Sequence, residues 1–455
     1  VQRVWPLSKY NICRRLGDTM MLYPRIHIIA ASCAAVTVLC AQQSPASGFS
    51  VPETSVLGVG VSNALVASPD EPGALPYNPA AIAFHEQSVW SAGGLLIGPT
   101  FSVRTASGRH DSEGAEWHPA PLLNAAIRID DEWAVGMSVN APFGLETRWP
   151  IGTFPALTGT ITRPTPVGPL TLPLSAQPTQ SKAEILAFTP TATYAVTDDL
   201  AVAAGVDVYW AKHAQFTSTL TNVEGDGSGL GFSLSAMYVK DALSLGVDFH
   251  SAATVDLDGF YTAQNATLVQ GGALPASQGA SVELNLPWRL QIGARYEMTE
   301  ALAAEVNITR TGWSEFEALT IELGAGATLV SDRNNWSDVN AYRLGVTYDL
   351  RAGTQLRFGY TYGETPVDSA YFTARIPDND RQLFSIGLGQ ALGDGWQLEA
   401  GYMYVMNHNR NYQGTRPYDP LTAPSTTNGT TAYDGEYESH AHLLAVGINK
   451  RFEAF

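Results

Sequence analysis

Leu243-Ser244-Leu245-Gly246-Val247-Asp248-Phe249-His250 alternates apolar residues with polar or small ones from end to end. Side chains of a strand point to opposite faces with period two, so this run has one oily face and one wet face. A soluble sandwich would turn the oily face inward, whereas an outer-membrane barrel turns it outward to lipid. Similar runs lie on both sides of it, so that strands are expected at about 88–104, 120–130, 131–141, 181–196, 200–222, 229–240, 242–258, 281–297, 300–321, 336–350, 353–365, 380–392, 395–412 and 436–453. Fourteen is an even count, as single-chain bacterial barrels require.

Connections and side chains choose lipid over a dry core. Tight turns at Asp130-Asp131, Thr197-Asp198-Asp199, Lys240-Asp241, Met298-Thr299-Glu300, Arg351-Ala352 and Gly393-Asp394-Gly395 alternate with longer connections, notably 142–180, 259–280, 322–335, 366–379 and 413–435. Short turns on one rim and long loops on the other match periplasmic and extracellular ends, with both termini periplasmic. Trp133, Trp210, Tyr296, Tyr342, Tyr348, Tyr360, Tyr362, Trp396, Tyr402 and Tyr404 share the oily phase of their strands, as membrane-interface girdles do. The other phase carries Asp207, Asp248, Arg289, Arg295, Glu305, Asn307, Arg343, Asp349 and Arg357, more charge than a dry core holds. No later stretch is long and apolar enough for a spanning helix, and a closed barrel is the remaining way to satisfy every backbone polar group in lipid. The expected fold is a fourteen-stranded antiparallel transmembrane β-barrel over residues 88–455.

Residues 1–47 read as an upstream extension and a secretory signal: a basic segment with Arg25, an apolar run from Ile28 to Ala41, and small residues at Pro45, Ala46 and Ser47. Cys13, Cys33 and Cys40 all lie there, so a processed chain has no thiol. Of 26 basic and 43 acidic residues, five and one lie in this segment, leaving a formal charge of −21 on the remainder. Such an acidic chain is not expected to bind nucleic acid.

Residues 48–87 are broken by Gly58, Gly60, Pro69, Pro72, Gly73, Pro76 and Pro79, yet carry Phe49, Val51, Leu57, Val59, Leu65, Tyr77, Ile82 and Phe84. That is too apolar for a solvated linker. The segment is expected to fold as a hatch inside the lumen. Gly48-Phe49, Gly58 with Gly60, and Tyr77-Asn78-Pro79-Ala80-Ala81 resemble the N-terminal hatch of FadL-type outer-membrane transporters for long-chain fatty acids and other hydrophobic compounds. The similarity continues through Phe143-Gly144-Leu145, Leu284-Asn285-Leu286-Pro287, Trp313-Ser314 with Phe316, Trp336-Ser337-Asp338, Tyr342-Arg343-Leu344-Gly345-Val346, Thr365-Pro366-Val367 and Arg375-Ile376-Pro377-Asp378-Asn379-Asp380-Arg381.

The resemblance implies capture of a fatty acid or a hydrocarbon by outer loops, an apolar pocket, and release past the hatch or sideways through the wall. It assigns gating to Asn78, Pro79 and Ala80. In loop 142–180, Phe143, Leu145, Trp149 and Phe154 form either a greasy lip that binds substrate or a small core of the loop's own. In the family, basic residues of the fifth strand and of the loop before the tenth hold a carboxylate; Lys212 and Arg333 lie near those places, but Asn334 stands where a lysine is expected. Fatty acids and neutral hydrocarbons therefore both remain open. Lys212 also falls on the oily phase unless the alternation slips near the rim.

Rival readings are a porin for small polar solutes, which gains nothing from an apolar plug, and an adhesin or receptor acting through loops 259–280 and 413–435. No enzyme is expected: Ser439 beside His440 and His442 is poor evidence for a dyad, and His408, His440 and His442 are weak evidence for a metal site. No cofactor is implied. The expected partners are a hydrophobic small molecule, outer-membrane lipid and lipopolysaccharide, and the chain is expected to be monomeric.

Overall fold

The computed structural model describes residues 48–455 apart from 114–116, 167, 174–176, 271–274, 325, 419–426 and 454–455, so the expected signal segment lies outside the described residues. Fourteen strands follow in chain order. They are β1 Ser88–Thr105, β2 His118–Arg128, β3 Trp133–Arg148, β4 Pro178–Thr197, β5 Leu200–Ser218, β6 Thr221–Lys240, and β7 Leu243–His250 continued by Ala253–Ala263. Next come β8 Ser277–Leu286 continued by Trp288–Thr299, β9 Leu302–Gly312 continued by Ala318–Leu323, and β10 Ala327–Arg333 continued by Val339–Asp349. The last four are β11 Thr354–Gly363, β12 Arg381–Gly393, β13 Trp396–Asn407 and β14 Gly435–Phe452. Each strand pairs antiparallel with the next, and β14 pairs with β1 from Phe452 opposite Ser88 to Glu436 opposite Arg104. The sheet thus closes into a barrel.

The alternation expected from Leu243 to His250 sorts as predicted. Leu245 is 42% exposed and Val247 40%, while Ser244 and Asp248 are buried. Trp133, Trp210, Tyr296, Tyr342, Tyr348, Trp396 and Tyr402 are likewise exposed on the outer face. Asp207, Arg295, Glu305, Arg343 and Arg357 are buried on the inner one. Asp349 departs from that set, lying exposed at the rim. On the last strand Lys450 lies over the Trp396 ring at 5.1 Å, and Trp396 meets Trp90 edge-on at 5.5 Å. The lysine stem covers apolar surface while its head reaches the Asp394 carbonyl at the turn.

Two expected loops are strand instead. Residues 223–228 belong to β6, with Glu224 and Asp226 exposed on either side of Gly225. Glycine reads as a breaker, but here it admits a close approach: a Cβ at Gly227 would lie 1.8 Å from the Asp256 carbonyl oxygen of β7. Phe143 and Leu145, expected in loop 142–180, belong to β3, which resumes after a bulge between Asn140 and Phe143.

Residues 48–87 contain a short helix α1, Val56–Gly60, capped by the Ser55 hydroxyl, and a 3-10 helix Pro79–Phe84 capped by the Asn78 amide oxygen. Almost all of residues 53–68 and 72–82 are buried. Their packing partners are the inward faces of the strands, and glycines set the spacing. A Cβ at Gly246 would lie 1.8 Å from the Val66 carbonyl oxygen, and one at Gly359 would lie 2.2 Å from the Val61 carbonyl carbon. Gly60 and Gly387 meet with no side chain between them.

Candidate functional site

Above this packed segment lies a cavity of about 390 Å³. Its apolar wall comes from Phe49, Phe101, Phe143, Ile185, Ile376 and Leu443. Beside it, Phe49 touches Trp313 at 4.8 Å and Phe316 at 5.7 Å, and Trp336 meets Trp313 at 4.9 Å and Phe316 at 4.8 Å. Edge-to-face pairs of this kind contribute roughly 0.5–1.5 kcal/mol each beyond burial. Gly48, at φ +63°, precedes this nest; a Cβ there would strike the Trp336 ring at 2.6 Å. Motifs separated by hundreds of residues in the sequence therefore converge on one aromatic floor.

The wall beside the cavity is incomplete. The ladder between β2 and β3 runs only from Arg128 opposite Ala134 to Leu123 opposite Val139, although β2 continues to His118 on its β1 side. Pro119, Pro121 and Pro142 have no N–H to donate across the break. Residues of both strand phases, His118, Pro119, Ala120 and Pro121, line the cavity there. The free length of β3 takes the N-terminal segment instead: Val51 N–H donates to the Pro142 carbonyl at 2.8 Å and Gly144 N–H to the Phe49 carbonyl at 3.0 Å.

Charged groups border one side. Glu146 pairs with Arg148 at 2.5 Å and Lys182 at 3.4 Å; Lys182 reaches Glu184 at 2.9 Å, and Lys212 reaches Glu184 at 3.5 Å. Lys212 is the extra residue of a bulge, since Ile185 faces Ala211 but Glu184 faces His213. That is the slip in alternation which its placement required. At the opposite side Asp378 accepts from Gly48 N–H at 2.8 Å and from the Thr365 hydroxyl at 2.6 Å, and burial pushes its carboxyl above the usual range.

Of the expected ligand residues, Phe143 and Lys212 line the cavity. The Leu145 backbone pairs with Ala183, and its side chain lies outside the described residues. Trp149 and Phe154 pack elsewhere: Trp149 Nε1 donates to the Ala374 carbonyl at 2.8 Å, and Phe154 meets Tyr433 at 5.2 Å. Both are buried, so the core-forming reading of this loop describes them better than the exposed lip. Arg333 does not line the cavity and is exposed. Sequence reasoning missed Lys182 and did not assign Arg381, which also lines the cavity.

The expected gating residues all contact the barrel. Asn78 donates to the Val66 carbonyl at 2.7 Å and to the Ala236 carbonyl at 3.1 Å. The Pro79 carbonyl accepts from the Thr193 hydroxyl at 3.0 Å, and Ala80 N–H donates to the Ser235 hydroxyl at 3.2 Å. Ser439, by contrast, accepts from Asn407 and has its neighbouring histidines on the other phase of β14, where Tyr402 and Tyr404 meet them.

A model of the outer membrane protein transport proteins (OMPP1/FadL/TodX) matches residues 37–452. The chain is 24% identical to the long-chain fatty acid transport protein of Escherichia coli O6:H1 (strain CFT073), over 92% of this chain and 97% of that one. It is 22% identical to outer membrane protein P1 of Haemophilus influenzae (strain Rd), over 92% and 98%. Among solved structures, a Pseudomonas aeruginosa FadL homologue superposes with a TM-score of 0.76 at 20% identity, covering 90% of this chain and all of that one. The Ralstonia pickettii toluene transporter TbuX superposes with a TM-score of 0.61 at 18% identity, covering 86% and 98%. The chain belongs to the OMPP1/FadL/TodX family of outer membrane transport proteins.

Proposed function

We propose that this protein is a passive uptake channel for hydrophobic molecules in the bacterial outer membrane, monomeric, embedded in outer-membrane lipid and lipopolysaccharide, with both chain ends in the periplasm. One observation carries the reading: an apolar cavity of ligand size sits over a packed N-terminal segment and reaches a break in the barrel wall. Residues 48–87 act as the hatch. They fill the inner face of the barrel with buried side chains and hold it through Asn78, Pro79 and Ala80. The names of the relatives, long-chain fatty acid transport and toluene transport, agree with such a cargo.

Energetics require a release step. Burying about fifteen methylenes is worth roughly 12 kcal/mol, and a ligand held that firmly does not leave an unchanged pocket on a useful timescale. The break between β2 and β3 gives a sideways route into the membrane, and displacement of residues 49–51 from β3 opens it. Rearrangement of the hatch gives a second route. No catalytic step is part of this reading.

Uptake of radiolabelled oleate and of toluene by cells lacking their own transporter, with and without this chain, tests it. The expected result is chain-dependent uptake of at least one cargo, with near silence in planar-bilayer conductance. A large steady current with uptake of neither identifies a porin and overturns the proposal.

A further inference from the structure

Phe49, Lys182, Ala183 and Ile376 line two cavities, the large one described above and a second of about 40 Å³. The second lies among the outer connections. Asp332 and Asn334 reach it from the β9–β10 hairpin, Thr373 and Arg375 from the connection before β12, and Asn428 from the connection before β14. Phe216, Leu284, Phe316 and Leu319 make its apolar wall. A chamber of this size holds about three water-sized groups, so it admits the polar end of an amphiphile and not its tail.

Hydrogen bonding in this chamber is lopsided. Asn334 Nδ2 donates to the Asp332 carbonyl at 3.2 Å, Asn428 Nδ2 to the Arg333 carbonyl at 2.8 Å, and Arg375 Nη1 to the Ser181 hydroxyl at 3.1 Å. Lys182 pairs with Glu146 and Glu184. Each of these donors thus has an acceptor of the protein's own. Two acceptors fare otherwise: among the described residues, none donates to Asp332 Oδ1 or to Asn428 Oδ1, although both side chains are buried. Flipping the Asn428 amide does not relieve its oxygen, because Nδ2 would then leave the Arg333 carbonyl. Arg375 acts on the Asp332 carboxylate as a neighbouring charge and not as a donor to Oδ1. A buried acceptor without a donor is destabilising, so these two oxygens call for an O–H or N–H brought from outside the chain.

Charge narrows the choice of donor. A carboxylate has no proton to give and meets the Asp332 charge, while an ammonium meets Arg375 and Lys182 in the same lining. A neutral hydroxyl satisfies the acceptors without either conflict. We infer that this outer chamber binds the hydroxyl of an alcohol-type amphiphile, with Asp332 and Asn428 as acceptors and the alkyl tail passing Phe49 and Ile376 into the larger cavity. This rests on the uptake function proposed above and adds hydroxylated hydrophobic molecules to its cargo. A site built to hydrogen-bond a hydroxyl rejects an analogue lacking it far more strongly than an apolar wall rejects a missing methylene.

Binding of 1-dodecanol and of 1-methoxydodecane to the purified full-length barrel in one mild detergent at pH 8 tests the assignment. The two probes share a tail and an oxygen, but only the alcohol donates. The expected result is dodecanol bound about 10- to 100-fold more tightly than the ether in the parent. Asp332→Leu should bring the two probes within about threefold by weakening the alcohol, with the ether little changed. Asn428→Leu and Asp332→Asn, each of which keeps one acceptor, should fall between. Comparing the ratio of probes across variants cancels their partition into detergent. A parent that binds both probes equally, as a chamber filled by water alone would, overturns the hydroxyl assignment and leaves the uptake function standing, and so does a preference that survives Asp332→Leu. A parent that binds neither probe overturns both. Retained heat-modifiable mobility and ether affinity show that each variant is folded.

Discussion

Asn78→Ala removes the side chain that ties the hatch to itself and to the barrel at one point. The amide donates to the Val66 carbonyl at 2.7 Å and the Ala236 carbonyl at 3.1 Å, and its oxygen accepts from Ala80 N–H at 3.1 Å. Ala80 N–H keeps a second acceptor, the Ser235 hydroxyl at 3.2 Å, so the loss falls mainly on the two carbonyls. The site is wholly buried, and water does not replace the amide at no cost. At about 1 kcal/mol per bond, rising toward about 3 where a buried group is left unpaired, the hatch should lose roughly 2–4 kcal/mol of docking free energy. Each 1.4 kcal/mol is tenfold, so the undocked population should rise about 30- to 1,000-fold. Hydrogen exchange of residues 56–84 in the folded, detergent-solubilised barrel reads that population, and planar-bilayer conductance reads its effect on leakage. Asn78→Asp keeps the acceptor but loses both donors and buries a charge, so it should be worse. Exchange in 56–84 unchanged within about threefold, with conductance still silent, would refute the reasoning.

Three further outcomes are expected. Gly359→Val places side-chain atoms where the Val61 and Ser62 backbone passes, and should expel the hatch and raise conductance while the barrel still forms. His85 follows the hatch, buried near Arg451 and Arg128; burial first and those cations second push its pKa down to about 3. Its neutral form is the folded one, so the stabilisation is complete above about pH 6.5 and is lost as pH falls toward 3. At pH 5 that is about 2 kcal/mol, read as faster exchange near residues 79–87 than at pH 7.5, and His85→Phe should remove the difference. Asp332, in the hairpin that carries β9 and β10 beyond their membrane-spanning parts, is pushed up to about 6 by burial. The sign is opposite: stability is complete below about pH 4 and falls as pH rises through 6. Asp332→Asn should stabilise that hairpin by up to about 3 kcal/mol at pH 8 and by nothing near pH 3.5, measured by exchange of residues 318–333.

The barrel was legible because lipid and lumen impose opposite demands on alternate residues, and turns such as Asp241 and Asp394, both at positive φ, mark the tight rim. The site was legible only in part. Phe143, which lines the cavity, was identifiable because its aromatic ring and motif survive any register. Lys212 was ambiguous because one inserted residue reverses the phase of everything beyond it, and nothing local in Trp210-Ala211-Lys212-His213 announces the insertion. Trp149 and Phe154 read equally as a binding lip or as a loop core because their burial depends on Ala374 and Tyr433, more than two hundred residues away. Arg381 was visible within a motif, but nothing in the motif says that it lines the cavity. The strand glycines were silent in the sequence. Gly246, Gly359 and Gly387 carry no side chain to read, yet each is where the wall meets the backbone of residues 60–67.

The division of the lumen into two storeys follows from how the hatch must be held. A plug retained by oily contact alone could slide or rotate, because apolar contact is non-directional. The lower storey is instead charged and specific. Glu305 accepts from Ala67 N–H at 3.0 Å and from the Ser68 hydroxyl at 2.8 Å, Arg295 reaches Ser68 at 3.4 Å, and the Ser62 carbonyl accepts from Thr361 at 2.8 Å. Arg357 and Glu399 pair beneath α1, where Gly60 crosses Gly387. These bonds fix the register of the plug, and breaking any one leaves a buried group unpaired, so movement costs least in segments with few of them. Residues 48–51 are such a segment. Gly48 is held through Asp378, Phe49 through ring contacts, and residues 49–51 through two backbone bonds to β3. The same residues form part of the cavity lining and close the break between β2 and β3. In the uptake function proposed above, filling the cavity and opening the wall therefore act on one short stretch of chain.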